Sequence, residues 1–189
     1  MALILPETLM YGMVNKAVEE MVVSRFGAEV WEKVKARADV EEEVFISNEA
    51  YPDGLTYRLV GAASAELGLN PDEVLEAFGI HWILHTAREG YGDLLAAAGS
   101  TFPEFLLSLP SFHTRLTLMF PELSPPIFNV TELDVNSLHL HYISTRPSLM
   151  SFVIGILKGL GTMFGTEIAI TVLKSRTQGD DHEVFLINW

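Results

Sequence analysis

The sequence predicts an α+β protein, a helical N-terminal part packed on a C-terminal ββαββ part whose strands form a four-stranded antiparallel sheet. Three observations carry that prediction. Apolar residues recur at helical spacing from Tyr11 almost to Pro121. After Pro125-Pro126 the period changes to strand-like alternation. Two hairpin patterns then flank one long apolar helix, and such an arrangement leaves one face of the sheet to be covered by the helical half.

The first helix runs from Tyr11 to Phe26. Val14, Ala17, Val18, Met21 and Val22 fall on one face, Lys16, Glu19 and Glu20 fill the other, and Gly27 ends it. A second helix, Ala28 to Ala38, turns Trp31 and Val34 inward, and Glu41-Glu42-Glu43 is a solvated connection. Asp53-Gly54 reads as a turn before a helix from Leu55 to Leu67, stopped by Gly68. Its segment Gly61-Ala62-Ala63-Ser64 has side chains small enough for close approach by another helix or a flat ligand. Asn70-Pro71-Asp72-Glu73 supplies a cap, a proline at the first helical position and first-turn acids. The helix it begins is expected to run through Phe78, His81, Trp82 and His85 to about Arg88, where Gly90-Tyr91-Gly92 breaks it. A short helix, Leu94 to Ala98, precedes another that starts near Pro103, and Pro110 is expected to interrupt that one just before His113. Beyond the proline elbow come strands at Ile127 to Val130 and Leu138 to Thr145, with a turn at Asp134 to Asn136. Pro147 is expected to open a helix that buries Leu149, Phe152, Val153, Ile156, Leu157 and Leu160. The last hairpin pairs Glu167 to Ser175 with His182 to Trp189.

Composition excludes much chemistry. The net charge of −13 repels nucleic acid and anionic membranes. The chain has no cysteine, which removes disulfides, thiolate catalysis, zinc thiolate sites and iron–sulfur clusters. Met1 to Met10 is apolar but short and lacks a basic flank, so no signal peptide is read; no apolar run approaches the ~18 residues of a membrane span. A cytoplasmic location is expected.

His113 stands among Leu109, Pro110, Phe112 and Leu116. Downstream, Tyr142-Ile143-Ser144-Thr145-Arg146 alternates as a strand does, so Tyr142, Ser144 and Arg146 share one face. Two hydroxyls and a guanidinium fork in a row suit a carboxylate or phosphate. A buried haem needs an axial nitrogen and donors for its propionates, and this pairing offers both. On alternation alone the row reads equally as ordinary strand residues whose arginine pairs with a surface carboxylate.

The spacing of His113 to Tyr142-x-Ser144-x-Arg146, with Phe120-Pro121 and Pro125-Pro126-Ile127-Phe128 between them, resembles the haem nitric oxide/oxygen binding (H-NOX) family. Met10-Tyr11-Gly12-Met13-Val14-Asn15 and Gly61-Ala62-Ala63-Ser64 resemble that family too, and the likeness runs from Met10 to Trp189. It implies one domain over 1–189, of the stand-alone bacterial type. A distal helical subdomain of about 1–65 and a part of about 66–189, with the proximal helices and the sheet, would hold haem b between them. His113 would be the proximal ligand to the iron. Tyr142, Ser144 and Arg146 would hold the propionates and Pro126 would press on the porphyrin. Val14, Val18, Phe78, Trp82 and Phe152 would wall the distal pocket. Where oxygen-binding members carry a distal tyrosine, five residues after the clamp arginine, this chain has Ser151. A serine hydroxyl can satisfy a carbonyl one turn back on its own helix, so the resemblance implies a sensor of nitric oxide and carbon monoxide that excludes oxygen. It further implies a non-enzymatic signal by release of His113 and relaxation of haem and subdomains. The reader of that signal would be a separate histidine kinase or cyclic-di-nucleotide enzyme, since no output domain follows in the sequence.

Two other histidine pairs are read as weaker signals. His81 and His85 share a helix face, but Trp82 stands where HExxH needs glutamate, so a zinc hydrolase lacks its base. His139 and His141 share the strand face opposite Tyr142, a possible metal pair, read here as a solvated face for want of an acidic third ligand. A haem-free module with an apolar cavity would explain the hydrophobicity but not His113 or the Tyr–Ser–Arg row.

Overall fold

The computed structural model describes residues 8–119 and 124–189. Phe120-Pro121 and most of the apolar start of the chain lie outside the described residues. Helices α1 (Gly12–Phe26) and α2 (Ala28–Ala38) flank Gly27, whose φ of 92° is open to glycine at no steric cost. Short strands β1 (Leu9–Tyr11) and β2 (Ala50–Pro52) pair antiparallel, a ribbon too short to leave a period in the sequence. Helix α3 (Asp53–Leu67) begins at Asp53, so Asp53-Gly54 forms the first turn of the helix and not a turn ahead of it. Helix α4 (Pro71–His81) carries a complete capping box, with Asn70 and Glu73 exchanging side-chain to backbone bonds of 2.9 Å.

The expected continuation to Arg88 is not α-helical. Trp82–Ala87 forms a π-helical turn before α5 (Arg88–Ala96), which is kinked at Tyr91. A π turn fits an extra residue into the ladder and re-aims the side chains around it. Helix α6 (Phe102–Met119) runs straight through Pro110. The ~3 kcal/mol penalty of an internal proline is outweighed here by the burial of Phe105, Leu106, Leu109 and Phe112 on both sides of it. His113 therefore sits inside a helix.

Strands β3 (Ile127–Asp134) and β4 (Ser137–Ile143) form a hairpin longer on its first arm than alternation indicates. Helix α7 (Met150–Phe164) starts three residues after Pro147, which sits in the connection. Strands β5 (Ala169–Lys174) and β6 (Glu183–Asn188) complete one antiparallel sheet in the order β3-β4-β6-β5. The predicted α+β class and ββαββ order are the observed ones. Two apolar cores result. One gathers α1, α2, α3 and the first half of α4, and the other gathers α6, α7, the sheet and the π turn; Trp82 and Leu149 pack against both.

Helices α4 and α7 meet backbone to backbone. A methyl on Gly155 would lie 2.1 Å from the Glu76 carbonyl oxygen, and one on Gly79 2.3 Å from that of Phe152. Gly155 and Gly159 of α7 are contact points for α4 and the π turn. By contrast Gly61 faces open space, so the small-residue segment of α3 does its packing through Ala62, Ala63 and Ser64. No helix among the described residues is long and apolar enough to cross a membrane.

Candidate functional site

A cavity of about 300 Å³ opens at the seam of the two cores. One wall is α6 and the elbow: Leu109, Phe112, His113 and Leu116, with Pro125, Pro126 and Phe128. Val14 of α1, Phe78 of α4, Trp82 of the π turn and Phe152 of α7 also line it. Phe78 packs against Phe152 at 5.1 Å and edge-on to Trp82 at 6.2 Å, so three of the sequence-selected wall residues form one aromatic group. Val18 is fully buried one turn beyond Val14 but does not line the cavity; it is core of the helical half. The lining is overwhelmingly apolar, which suits a flat hydrophobic ligand held by a few directed polar groups.

His113 lies against Phe128 at 4.8 Å between ring centres and edge-on to Phe112 at 5.6 Å. Its Nδ1 is 3.0 Å from the Leu109 carbonyl oxygen, one turn back. That carbonyl only accepts, so Nδ1 carries the hydrogen and donates, and Nε2 keeps its lone pair for the cavity. Burial holds the ring's pKa below the usual histidine value, partly offset by the Leu109 bond. A neutral imidazole with one nitrogen tied back is the form in which histidine ligates a metal.

The Tyr142-Ser144-Arg146 row is brought to the cavity, but not as a strand. β4 ends at Ile143, and Ser144 lies in the connection, where its Oγ accepts from the Arg146 backbone N–H at 3.1 Å. Tyr142 packs its ring against Phe128 at 5.4 Å, and burial pushes its phenol pKa up. Arg146 is 7% exposed and already has a carboxylate of the chain's own. Its Nε donates to Asp53 Oδ2 at 2.6 Å and its Nη2 to Asp53 Oδ1 at 3.3 Å. Nη1 donates to the Ser124 carbonyl at 2.6 Å and Nη2 to that of Leu9 at 2.9 Å. The fork thus ties β1, α3 and the elbow to the end of the β-hairpin. Neighbouring Tyr57 donates to the Pro147 carbonyl at 3.0 Å, and burial, then the charge of Asp53, pushes its phenol up to about 12.

Ser151 does not line the cavity. Its hydroxyl donates to Asp72 Oδ1 at 2.7 Å, across to the first turn of α4, and not to a carbonyl of its own helix. The next residue, Phe152, occupies the wall. Sequence reasoning missed Asp53, Tyr57 and Tyr91, the last lining the cavity with its hydroxyl 3.3 Å from Met13 Sδ. In the sequence Asp53 reads only as half of an Asp-Gly turn, and nothing in the spacing marks the two tyrosines.

The chain matches the family model described as haem-NO-binding over residues 11–172. It is 28% identical over 165 residues to the soluble guanylate cyclase gcy-31 of Caenorhabditis elegans and 28% identical over 168 residues to soluble guanylate cyclase 89Da of Drosophila melanogaster. These alignments take in 87% and 88% of this chain but 24% and 25% of the cyclases, so the chain spans about a quarter of the length of those relatives. Among solved structures, an unliganded Fe(II) H-NOX protein from K. algicida superposes with a TM-score of 0.83 at 25% identity, covering 95% of this chain and 96% of that one. An S. oneidensis H-NOX protein in the Fe(II)NO state gives 0.86 at 23% identity, covering 95% and 98%. With its fold, its cavity and a family match over most of its length, the chain belongs to the haem-NO-binding, or H-NOX, family.

Proposed function

We propose that the chain is a haem-based sensor that binds nitric oxide and carbon monoxide and excludes oxygen. The observation that carries this reading is His113, a buried neutral imidazole whose Nδ1–H is tied to Leu109 and whose Nε2 is left to an apolar cavity. The donor set fits haem, and in a chain without cysteine it would be held without thioether bonds, as haem b is. When bound, its ferrous iron supplies the centre at which a diatomic gas is held. His113, on α6, would hold the iron. Tyr142, Ser144 and the N–H of Arg146 not spent on Asp53, Ser124 and Leu9 would hold the propionates, and Pro126, which lines the same cavity, would press on the porphyrin. Val14, Phe78, Trp82 and Phe152 would exclude water from the cavity they line.

Oxygen exclusion rests on Phe152 and Ser151. Bound oxygen gains from a hydrogen-bond donor far more than nitric oxide or carbon monoxide does. Phe152 offers none, and the Ser151 hydroxyl is spent on Asp72. The signal would be a shift between two packings of the cores that meet at the cavity, and release of His113 would bias the Arg146–Asp53 tie between them. By resemblance its reader is a histidine kinase or a cyclic-di-nucleotide enzyme.

The absorbance spectrum of the purified protein tests the reading. A Soret band that shifts on reduction and again with nitric oxide or carbon monoxide, with no stable oxy form in air, is the expected result. Protein that stays colourless after expression with ample haem refutes it and favours a haem-free apolar-ligand module. His113→Gly should remove the nitrogen that would hold the iron, and added imidazole should replace it; spectra unchanged by the substitution would place the ligand elsewhere.

A further inference from the structure

We propose that His139, His141 and His182 form a second metal site, for a divalent late first-row ion, on the outer face of the sheet. His139 and His141 are two apart on β4 and share the face opposite Tyr142. His182 stands just ahead of β6, whose Val184 is the register partner of His141. The His141 and His182 rings are 5.3 Å apart, and His141 Nδ1 lies 3.0 Å from His182 Nε2. Two nitrogens bound to one ion at about 2.0–2.1 Å stand roughly 2.8 Å apart in a square plane and roughly 3.4 Å apart in a tetrahedron. The pair is already at chelating separation, with a single proton shared where an ion would sit.

The surroundings favour an ion there. His182 Nδ1 is 2.8 Å from Asp181 Oδ1, so the carboxylate fixes the ring with its Nε2 lone pair toward His141, the outer-shell support that metal-binding histidines ordinarily have. The His139 ring is edge-on to His141 at 6.5 Å. Among the described residues no three ligating side chains already converge. A change of rotamer at half-buried His139 brings a third nitrogen and leaves a fourth position to water, the open three-histidine set that zinc accepts. Lys174 is the opposing charge at this face, and Asp181 offsets it. The site lies across the sheet from Tyr142 and is independent of the cavity.

Calorimetric titration of the full chain with Zn²⁺ tests it, with a readout that gas binding does not enter. One ion per chain at micromolar affinity is expected, with proton release on binding. Affinity should fall at least tenfold in His141→Ala and in His182→Ala, and about tenfold in Asp181→Asn. Binding no tighter than millimolar, or binding retained in both histidine variants, overturns the proposal. Affinity unchanged in His139→Ala overturns the role of the third histidine.

Discussion

Two joints hold the walls of the cavity, and they are built on opposite principles. Between α4 and α7 the backbones touch: Gly79 and Gly155 leave no room for a methyl, and the polar contacts beside them, the exposed Lys158–Glu76 pair and the Ser151 hydroxyl on Asp72, only add to that packing. Between the helical half and the end of the β-hairpin, one buried arginine spans Asp53, Leu9 and Ser124. A close-packed joint resists sliding because every displacement meets atoms. A polar joint is stable only while each partner is in place, so a small change in the charge beside it shifts it. The distal wall is thus carried on the rigid joint and the anion-facing row on the adjustable one.

Breaking the polar joint should give the largest effect. Asp53→Asn or Arg146→Met leaves one buried group without its charge partner, and urea unfolding should show a loss of about 3–5 kcal/mol for each. The double variant should recover part of that loss, because neither charge is then stranded. Single losses below about 1 kcal/mol would mean that the joint is effectively solvated and that the contrast fails.

The second test concerns a polar group stranded beside the rigid joint. His81 is 5% exposed, its Nε2 has no partner, and its ring stacks on His85 at 4.6 Å. Burial, then the His85 charge, lowers its pKa from 6.5 to about 4. A histidine harder to protonate when folded lets the unfolded chain take up the proton first. Stability should therefore be full above pH 6.5 and fall as pH drops toward 4, by at most about 3 kcal/mol. His81→Leu should flatten that slope in unfolding measurements across the window. An equal slope in the variant would assign the acid sensitivity to other groups.

The period of the sequence made most of the fold legible, because burial on one side writes itself into spacing: α1, α2, the capping box at Asn70 and the ββαββ order all stand where the pattern puts them. What it hid are features decided by tertiary contact. Pro110 reads as a break, yet packing on both sides carries α6 through it. No single residue announces the π turn at Trp82. Tyr142, Ser144 and Arg146 all line the cavity, although the strand stops at Ile143, but alternation could not reveal that Asp53, 93 residues away, closes the arginine fork. His113 was legible as a candidate by spacing; its tautomer was not, because that depends on which carbonyl it reaches.

The smallest effects sharpen the rigid joint itself, by comparing two glycines in helices. Gly155→Ala must push the Cβ against the Glu76 carbonyl, which is backbone and cannot rotate away, so α4 and α7 must part. Such overpacking costs about 1–3 kcal/mol, less the gain from replacing a helical glycine. The same substitution at Gly61 meets nothing within 4 Å, so only the helical gain is left and stability should rise by about 0.5–1 kcal/mol. Urea midpoints measured in parallel should move in opposite directions. If both fall, Gly61 also packs against something when the cavity is filled; if both rise, the α4–α7 contact yields to a methyl, and the distal wall is no more rigid than the arginine joint it was contrasted with.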